Sequence, residues 1–327
     1  MKLVKILIFF VSVVLYCASG AQAKPRKSKE RILETSSYSY VGGVKDGKQH
    51  GWGICRYNNG NAYYGFWNMG YKHGLGRIVY ADGTMDFGNW NKGTLVKQKK
   101  RRFVPGKKVY GIDVSKWQNS INWEKLALRA SDVGNVGAGT AKGRFVQPVL
   151  FALMKSTEGT TIIDPTFAYN FAEAARVGIV RGAYHFLSVN SPVDEQAAYF
   201  IKHTPLKRGD LPPVLDLEIA PAVMKAQHSK ICRMAKQWLK IIEKHFGVKP
   251  IIYTYNKYYI DYLKGHGFDD YDFWLARYGA KPTARNWEIW QVTDKGRASG
   301  IAGPVDVDLF RGNYPEFMRY VAHKGVQ

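Results

Sequence analysis

The segment from Tyr40 to about Thr94 repeats itself, and this repeat limits the possible folds more than any other feature of the chain. Tyr40, Gly42, Gly47, His50, Gly51 and Gly53 recur as Tyr63, Gly65, Gly70, His73, Gly74 and Gly76, a period of 23 residues. Asn59-Gly60 recurs as Asp82-Gly83, and a truncated third copy places Gly88, Trp90 and Gly93 opposite Gly65, Trp67 and Gly70. Alternating aromatic and small residues bounded by Asn-Gly or Asp-Gly predict β-hairpins with tight turns. A single hairpin cannot bury its own face, so neighbours must stack to complete a core. His50 and His73 fall at the repeat spacing and are expected to pack within hairpins, not to bind metal or catalyse.

The pattern Y-x-G-x-W-x-x-G-x-x-H-G-x-G runs complete from Tyr63 to Gly76, with Val44 replacing the Trp in the first copy. It resembles the membrane occupation and recognition nexus (MORN) repeat. The resemblance implies a small all-β hairpin-repeat module over residues 40–96, acting as scaffold or spacer, with lipid or protein contact as its other known use.

The N-terminus addresses the compartment. Lys2 and Lys5 flank an apolar run from Leu3 to Tyr16, and Ala21-Gln22-Ala23 follows. A basic start, a short apolar core and an A-x-A site predict a signal peptide over 1–23. The run is short for a membrane span, which needs about 20 residues. Export to the periplasm, the cell surface or the medium is the expectation. Residues 24–39 then read as a linker, and so does 97–108, KQKKRRFVPGKK, where like charges repel and Pro105-Gly106 breaks structure. Cys55 and Cys232 remain after cleavage, too few for a disulfide-framed fold, and are read as buried free thiols or, as the alternative, one bridge between modules. No Cys/His spacing suits zinc, so neither metal nor cofactor is expected. The net charge of +22 points to a polyanionic partner or an anionic surface. Export argues against nucleic acid and leaves anionic wall polymer or lipid headgroups.

From Val109 to Gln327 strand-like and helix-like segments alternate. Strands are expected at Val109–Val114, Val149–Lys155, Ile179–Phe186, Pro213–Glu218 and Ile251–Tyr255. Helices are expected near Trp123–Arg129, Pro165–Val177, Val193–His203, Lys225–Phe246 and Tyr258–Lys264, after which helices stop. Phe273–Ala276, Glu288–Val292 and Val305–Phe310 read as three closing strands. Five βα units plus three strands predict an eight-stranded α/β barrel with an incomplete helical coat, its chemistry at the C-terminal strand ends.

Acidic residues fall at those ends. Asp113 closes the first strand, Asp216 and Glu218 the fourth, and Asp306 lies in the last. The i, i+2 spacing puts Asp216 and Glu218 on one strand face, the lumen. Crowded carboxylates raise at least one pKa, giving a protonated acid beside ionised neighbours, as glycosidic hydrolysis requires. Trp117, Tyr184, Phe186, Tyr253, Trp274, Tyr278 and Trp290 lie around the strand ends, where aromatic faces can pack on sugar rings or simply serve as core. Acidic strand ends also suit a hard divalent cation, or no ligand at all.

The segment from Val109 to about Asn313 resembles the family 25 glycoside hydrolases, lysozymes also called Chalaropsis-type muramidases. The match rests on Gly111-Ile-Asp-Val-Ser115 with Trp117-Gln118, Lys155-Ser-Thr-Glu-Gly159, Gly182-Ala-Tyr-His-Phe186, Asp216-Leu-Glu218, Trp274-Leu-Ala-Arg-Tyr278, Trp290-Gln291 and Val305-Asp306, in family order. It implies a flattened (β/α)5(β)3 TIM-like barrel over 109–327. It implies Glu218 as general acid and Asp216 as nucleophile or as the group orienting the substrate's acetamido oxygen. Asp113 and Asp306 complete the acidic ring, while Tyr184, Trp274, Tyr278 and Gln291, with Tyr253, line the sugar subsites. His185 matches the motif and is either a substrate contact or a structural histidine. Asp308 is expected as exposed strand decoration, with Asp306 two residues earlier making it a backup candidate for the acidic ring, and Glu158 as structural or as support for the residues that touch substrate. Two departures stand out: a long Gly-rich stretch over Ala130–Gln147, and Lys155-Ser156 for the commoner Lys-Ala. The implied substrate is peptidoglycan; an N-acetylglucosaminidase or chitinase, and a non-catalytic wall- or membrane-binding adaptor, are the alternatives.

Overall fold

The computed structural model describes residues 31–81, 85–96, 108–129 and 145–326. The expected signal peptide, the start of the 24–39 linker, the Asp82-Gly83 turn, residues 97–107 and residues 130–144 lie outside the described residues.

Residues 31–95 form one antiparallel sheet of sequential strands: β1 Arg31–Glu34, β2 Tyr38–Lys45, β3 Lys48–Tyr57, β4 Ala62–Asn68, β5 Tyr71–Val79, β6 Met85–Asn91 and β7 Thr94–Leu95. The 23-residue period reappears in its turns. Asp46-Gly47, Met69-Gly70 and Lys92-Gly93 each hold both residues at positive φ (49° and 71°, 49° and 91°, 45° and 84°), the backbone that a two-residue hairpin turn requires. It reappears in the packing too. The Tyr40 and Tyr63 hydroxyls donate to the carbonyls of Gly43 and Phe66, and the Trp67 and Trp90 indoles donate to those of Gly53 and Gly76. A Cβ at Gly53 or Gly76 would overlap the Tyr40 or Tyr63 ring, so the glycines let the aromatic stack close. The rings meet edge to face at 5.1–5.5 Å.

The following strands are β8 Val109–Val114, β9 Ala127–Arg129, β10 Phe145–Pro148, β11 Phe151–Glu158, β12 Ile162–Ile163, β13 Val180–Phe186, β14 Val214–Asp216, β15 Ile251–Tyr255, β16 Phe273–Ala276, β17 Trp287–Gly296, β18 Ala298–Ser299 and β19 Val305–Phe310. Neighbours run parallel from β8 through β11, β13, β14, β15 and β16 to β17. β19 returns antiparallel and pairs with both β17 and β8, so the sheet closes on itself. The helices are α1 Phe167–Arg176, α2 Val193–His203, α3 Pro221–Ala226, α4 His228–Phe246, α5 Asn256–Tyr258 and α6 Tyr314–Lys324. α4 is typical: Ile231, Cys232, Ala235, Trp238, Leu239 and Ile242 recur at three- and four-residue steps and form its buried face. Gly247, at φ 72°, ends it. Cys55 and Cys232 are both buried free thiols. No described helix is long and apolar enough to cross a membrane.

Several elements differ from expectation. Trp123–Arg129 is not a helix: one 3-10 turn at Trp123–Lys125 gives way to β9, whose backbone pairs with β10 and β18. Tyr258–Lys264 is reduced to α5 and one π turn at Tyr259–Leu263. Helices also do not stop after the fifth unit. α6 follows the last strand, begun by a reciprocal cap in which Asn313 accepts from the Glu316 N–H at 3.0 Å and Glu316 accepts from the Asn313 N–H at 2.7 Å.

The hairpin sheet lies against the barrel's base. Ile54, Ala62, Tyr64 and Val79 share one apolar core with Val109, Leu150, Phe151, Phe310 and Phe317. Arg77, buried there, donates to the Val149 carbonyl at 3.2 Å. Gly178, at φ 74°, leaves room for the Tyr64 side chain.

Candidate active site

The opposite end of the barrel collects the acids. Asp113 lies next to last in β8, and Asp306, second in the antiparallel β19, is its cross-strand partner. Asp216 ends β14; Glu218 stands two residues beyond it, where the Leu217 N–H still bonds the Tyr253 carbonyl and keeps the chain extended. Asp216 and Glu218 thus stay on one side although the strand is shorter than expected. Asp113 and Asp216 are 6% and 4% exposed, whereas Glu218 and Asp306 are half-buried.

Burial dominates the electrostatics. Burial holds Asp216 well above the ordinary carboxylate range, and Glu218 pushes it further up. Burial raises Glu218 as well, against a lowering hydrogen bond from Tyr255. Asp113 is pushed well up by burial, then by Asp306 and Asp308, against the Gln291 amide. Asp306 is pushed up to about 6 by burial and by Asp294. The nearest cation to Asp216, Lys155, is held at 2.6 Å by Glu158 and lies over the Phe186 ring. Oδ1 of Asp216 and Oε1 of Glu218 find no hydrogen-bond donor among the described residues. Both oxygens are buried, so the pair carries an unmet hydrogen-bonding demand that protonation would relieve.

An aromatic and amide network surrounds them. Gln291 donates to Asp113 at 2.8 Å and accepts from the hydroxyls of Tyr253 and Tyr278 at 3.1 and 3.0 Å. The Trp274 ring packs against Tyr253 at 4.1 Å and Tyr184 at 6.0 Å between centroids. Tyr278 is exposed at the rim, and Trp117, just beyond β8, is the most exposed large apolar side chain described, at 78%.

Two expectations need correction and one residue was missed. His185 does not reach the mouth. It is fully buried, stacks on Trp238 of α4 and is hydrogen-bonded to Thr157 and Gln196, because it alternates with Tyr184 and so faces the helices. Burial lowers its pKa to about 4, leaving a neutral structural histidine. Asp308 is not exposed decoration: it is 0% exposed, accepts from the Trp274 indole at 2.8 Å and lies beside Asp113. Tyr255, beside Glu218 and 46% exposed, was overlooked. Its position two residues after Tyr253 on one strand was the available signal. Among the described residues no group of three or more His, Cys, Asp or Glu is arranged to hold a metal ion.

Residues 112–301, more than half of the chain, match the sequence model for glycosyl hydrolases family 25. The chain belongs to that family. As a family 25 member it is a glycoside hydrolase, with a mixed α/β fold. It is 35% identical to the protein YegX of Escherichia coli K12 over 216 residues, 65% of this chain and 73% of that one. It is 32% identical to lysozyme M1 of Streptomyces globisporus over 221 residues, 63% of this chain and 68% of that one. Among solved structures it is similar to a lysozyme from Streptomyces coelicolor, with a TM-score of 0.55 and 29% identity, covering 67% of this chain and 98% of that one. A family 25 glycosyl hydrolase from Bacillus anthracis gives 0.53 and 28%, covering 65% and 93%.

Proposed function

We propose that this glycoside hydrolase is an exported N-acetylmuramidase, cleaving the β-1,4 bond between N-acetylmuramic acid and N-acetylglucosamine in peptidoglycan. The observation that carries this reading is the Asp216–Glu218 pair, buried at the mouth of a closed sheet with its only near cation, Lys155, already paired to Glu158 among the described residues. The likeness to lysozymes gives it a substrate class. On the same reading the closed sheet is the flattened (β/α)5(β)3 TIM-like barrel of a catalytic domain over 109–327. Residues 1–23 are a signal peptide, 40–96 MORN-type repeats and 97–108 a basic linker. The protein acts in the periplasm, at the cell surface or outside the cell, where its +22 charge meets the carboxylates of the wall polymer.

Burial and mutual repulsion keep a proton on the Asp216–Glu218 pair at pH values where isolated carboxylates have lost theirs. Glu218 is the more exposed member, so it is the one a glycosidic oxygen reaches. It gives its proton to that oxygen as the C–O bond breaks. Asp216, left ionised, serves as nucleophile or orients the substrate's 2-acetamido oxygen for attack at the anomeric carbon. Water completes the hydrolysis and returns a proton to Glu218. Asp113 and Asp306 hold the negative field that favours an oxocarbenium-like state, and Tyr184, Tyr253, Trp274, Tyr278 and Gln291 position the sugars.

Purified peptidoglycan is digested with the protein and with Glu218→Gln, and the new reducing ends are identified by mass spectrometry. Reducing-end muramic acid from the unaltered protein is expected, falling about a thousandfold in the variant. Reducing-end glucosamine moves the assignment to a glucosaminidase, and no product from folded protein moves it to a binding role.

A further inference from the structure

Beside the mouth, the ends of β15 and β16 open into a groove of about 490 Å³. It is continuous with the carboxylate site because two of its walls belong to both. Tyr255 lies beside Glu218, and the Tyr278 hydroxyl donates to Gln291 at 3.0 Å. Its floor is apolar, with Ile260 and Ala276 beside the tyrosine rings. Its cations are Lys257 and Arg277. Lys257 is already engaged by Asp261 at 2.8 Å.

Arg277 differs. Its backbone is fixed on both sides: its N–H donates to the Gln291 carbonyl at 3.2 Å and its carbonyl accepts from the Trp290 indole at 2.7 Å. One guanidinium nitrogen donates to the Lys281 carbonyl at 2.5 Å, which orients the rest of the fork. Among the described residues no carboxylate pairs with it. A positioned, unpaired guanidinium over an apolar floor suits a ligand carrying both a carboxylate and small alkyl groups. Stem-free glycan offers only the lactyl carboxylate and methyl held close against the sugar ring. A peptide of alanine and acidic residues offers both.

We infer that this groove receives the peptide stem attached to the muramic acid residue, and that Arg277 binds a stem carboxylate and so selects stem-bearing over stem-free glycan. This rests on the muramidase reading. Stem-bearing glycan chains and the same chains stripped of stems by an amidase are the two substrates, and the release of reducing-end muramic acid gives kcat and KM for each. The unaltered protein is expected to show the lower KM on the stem-bearing chains. Arg277→Gln is expected to raise that KM about fivefold with kcat nearly constant. The preference, as a ratio of kcat/KM values, then falls towards one. Arg277→Lys, which keeps the charge without the fork, is expected to recover part of it. An equal effect on both substrates, or none, overturns the proposal. If the unaltered protein releases no muramic ends, the muramidase reading fails instead. Equilibrium binding of the two chains to the unaltered protein and to Arg277→Gln then still decides whether the groove reads the stem.

Discussion

The two ends of the barrel bury charge in opposite ways. At the base, Arg181 forks onto Asp210 at 2.7 and 3.2 Å and also donates to the Phe171 carbonyl. Asp210 in turn accepts from the Lys207 N–H. The buried acid there has a cation partner, and Arg77, which lacks an acid, reaches a carbonyl with one nitrogen and lies over the Tyr64 ring. At the mouth, Asp113, Asp216 and Asp308 are as deeply buried, but among the described residues no ion pair neutralises them, and their charges repel one another. The base is arranged for stability. The mouth gives up stability to hold protons that a solvated carboxylate would release.

The sharpest way to break this comparison is to disturb the base and ask whether the mouth responds. Gly178→Ala places a Cβ against Tyr64 at a backbone conformation that favours glycine. The strain and the overpacking together are expected to destabilise the protein by about 3 kcal/mol. Thermal unfolding measures the loss, and kcat below the new midpoint is expected to be unchanged. A large fall in kcat would show that the hairpin sheet shapes the mouth, and the division into two ends would fail.

A smaller effect is expected inside the mouth. Asp308 has the Trp274 indole on one oxygen, no donor on the other and Asp113 beside it, so it is read as a protonated acid. Asp308→Leu leaves the buried Trp274 indole unpaired and is expected to cost about 2 kcal/mol. Asp308→Asn, which replaces O–H by N–H, is expected to stay within about 1 kcal/mol of the parent. Denaturant midpoints compare the three. Equal losses in both variants would mean that Asp308 is ionised.

Residues of this kind show what the sequence could and could not reveal. The acids at strand ends were legible because a two-residue period places Asp216 with Glu218. The same period places Asp308 with Asp306, Tyr255 with Tyr253, and His185 opposite Tyr184. Those three were misread or overlooked where motif letters, or an assumed surface position, outweighed the alternation. The 23-residue repeat was legible because its turns and its aromatic stack are local. The seat of that sheet on the barrel was not, since it depends on contacts such as Arg77 with Val149 and Tyr64 with Met318, which no local pattern encodes. The α6 cap was local, and Asn313 with Pro315 and Glu316 was a sufficient signal for it.

The finest test of the contrast is its pH dependence. Asp306 is pushed up from 3.8 to about 6. An acid whose folded pKa lies above its unfolded value favours the folded state while protonated. That contribution is complete below about pH 4 and is lost as pH rises through about 6. Above that point the folded protein carries an ionised Asp306 that the unfolded chain would hold more easily. Asp306→Asn removes this cost, so at pH 8 it is expected to stabilise the protein by about 2 kcal/mol, and at pH 4 by almost nothing. Unfolding midpoints at the two pH values read the difference. Burial raises the Asp210 pKa too, against the Arg181 guanidinium, but the same substitution there leaves Arg181 buried without its acid and should destabilise the protein at pH 8. If both substitutions shift stability in the same direction at pH 8, the two ends do not differ in the way proposed. Opposite signs at a single pH would locate the strain at the mouth, where the chemistry needs it.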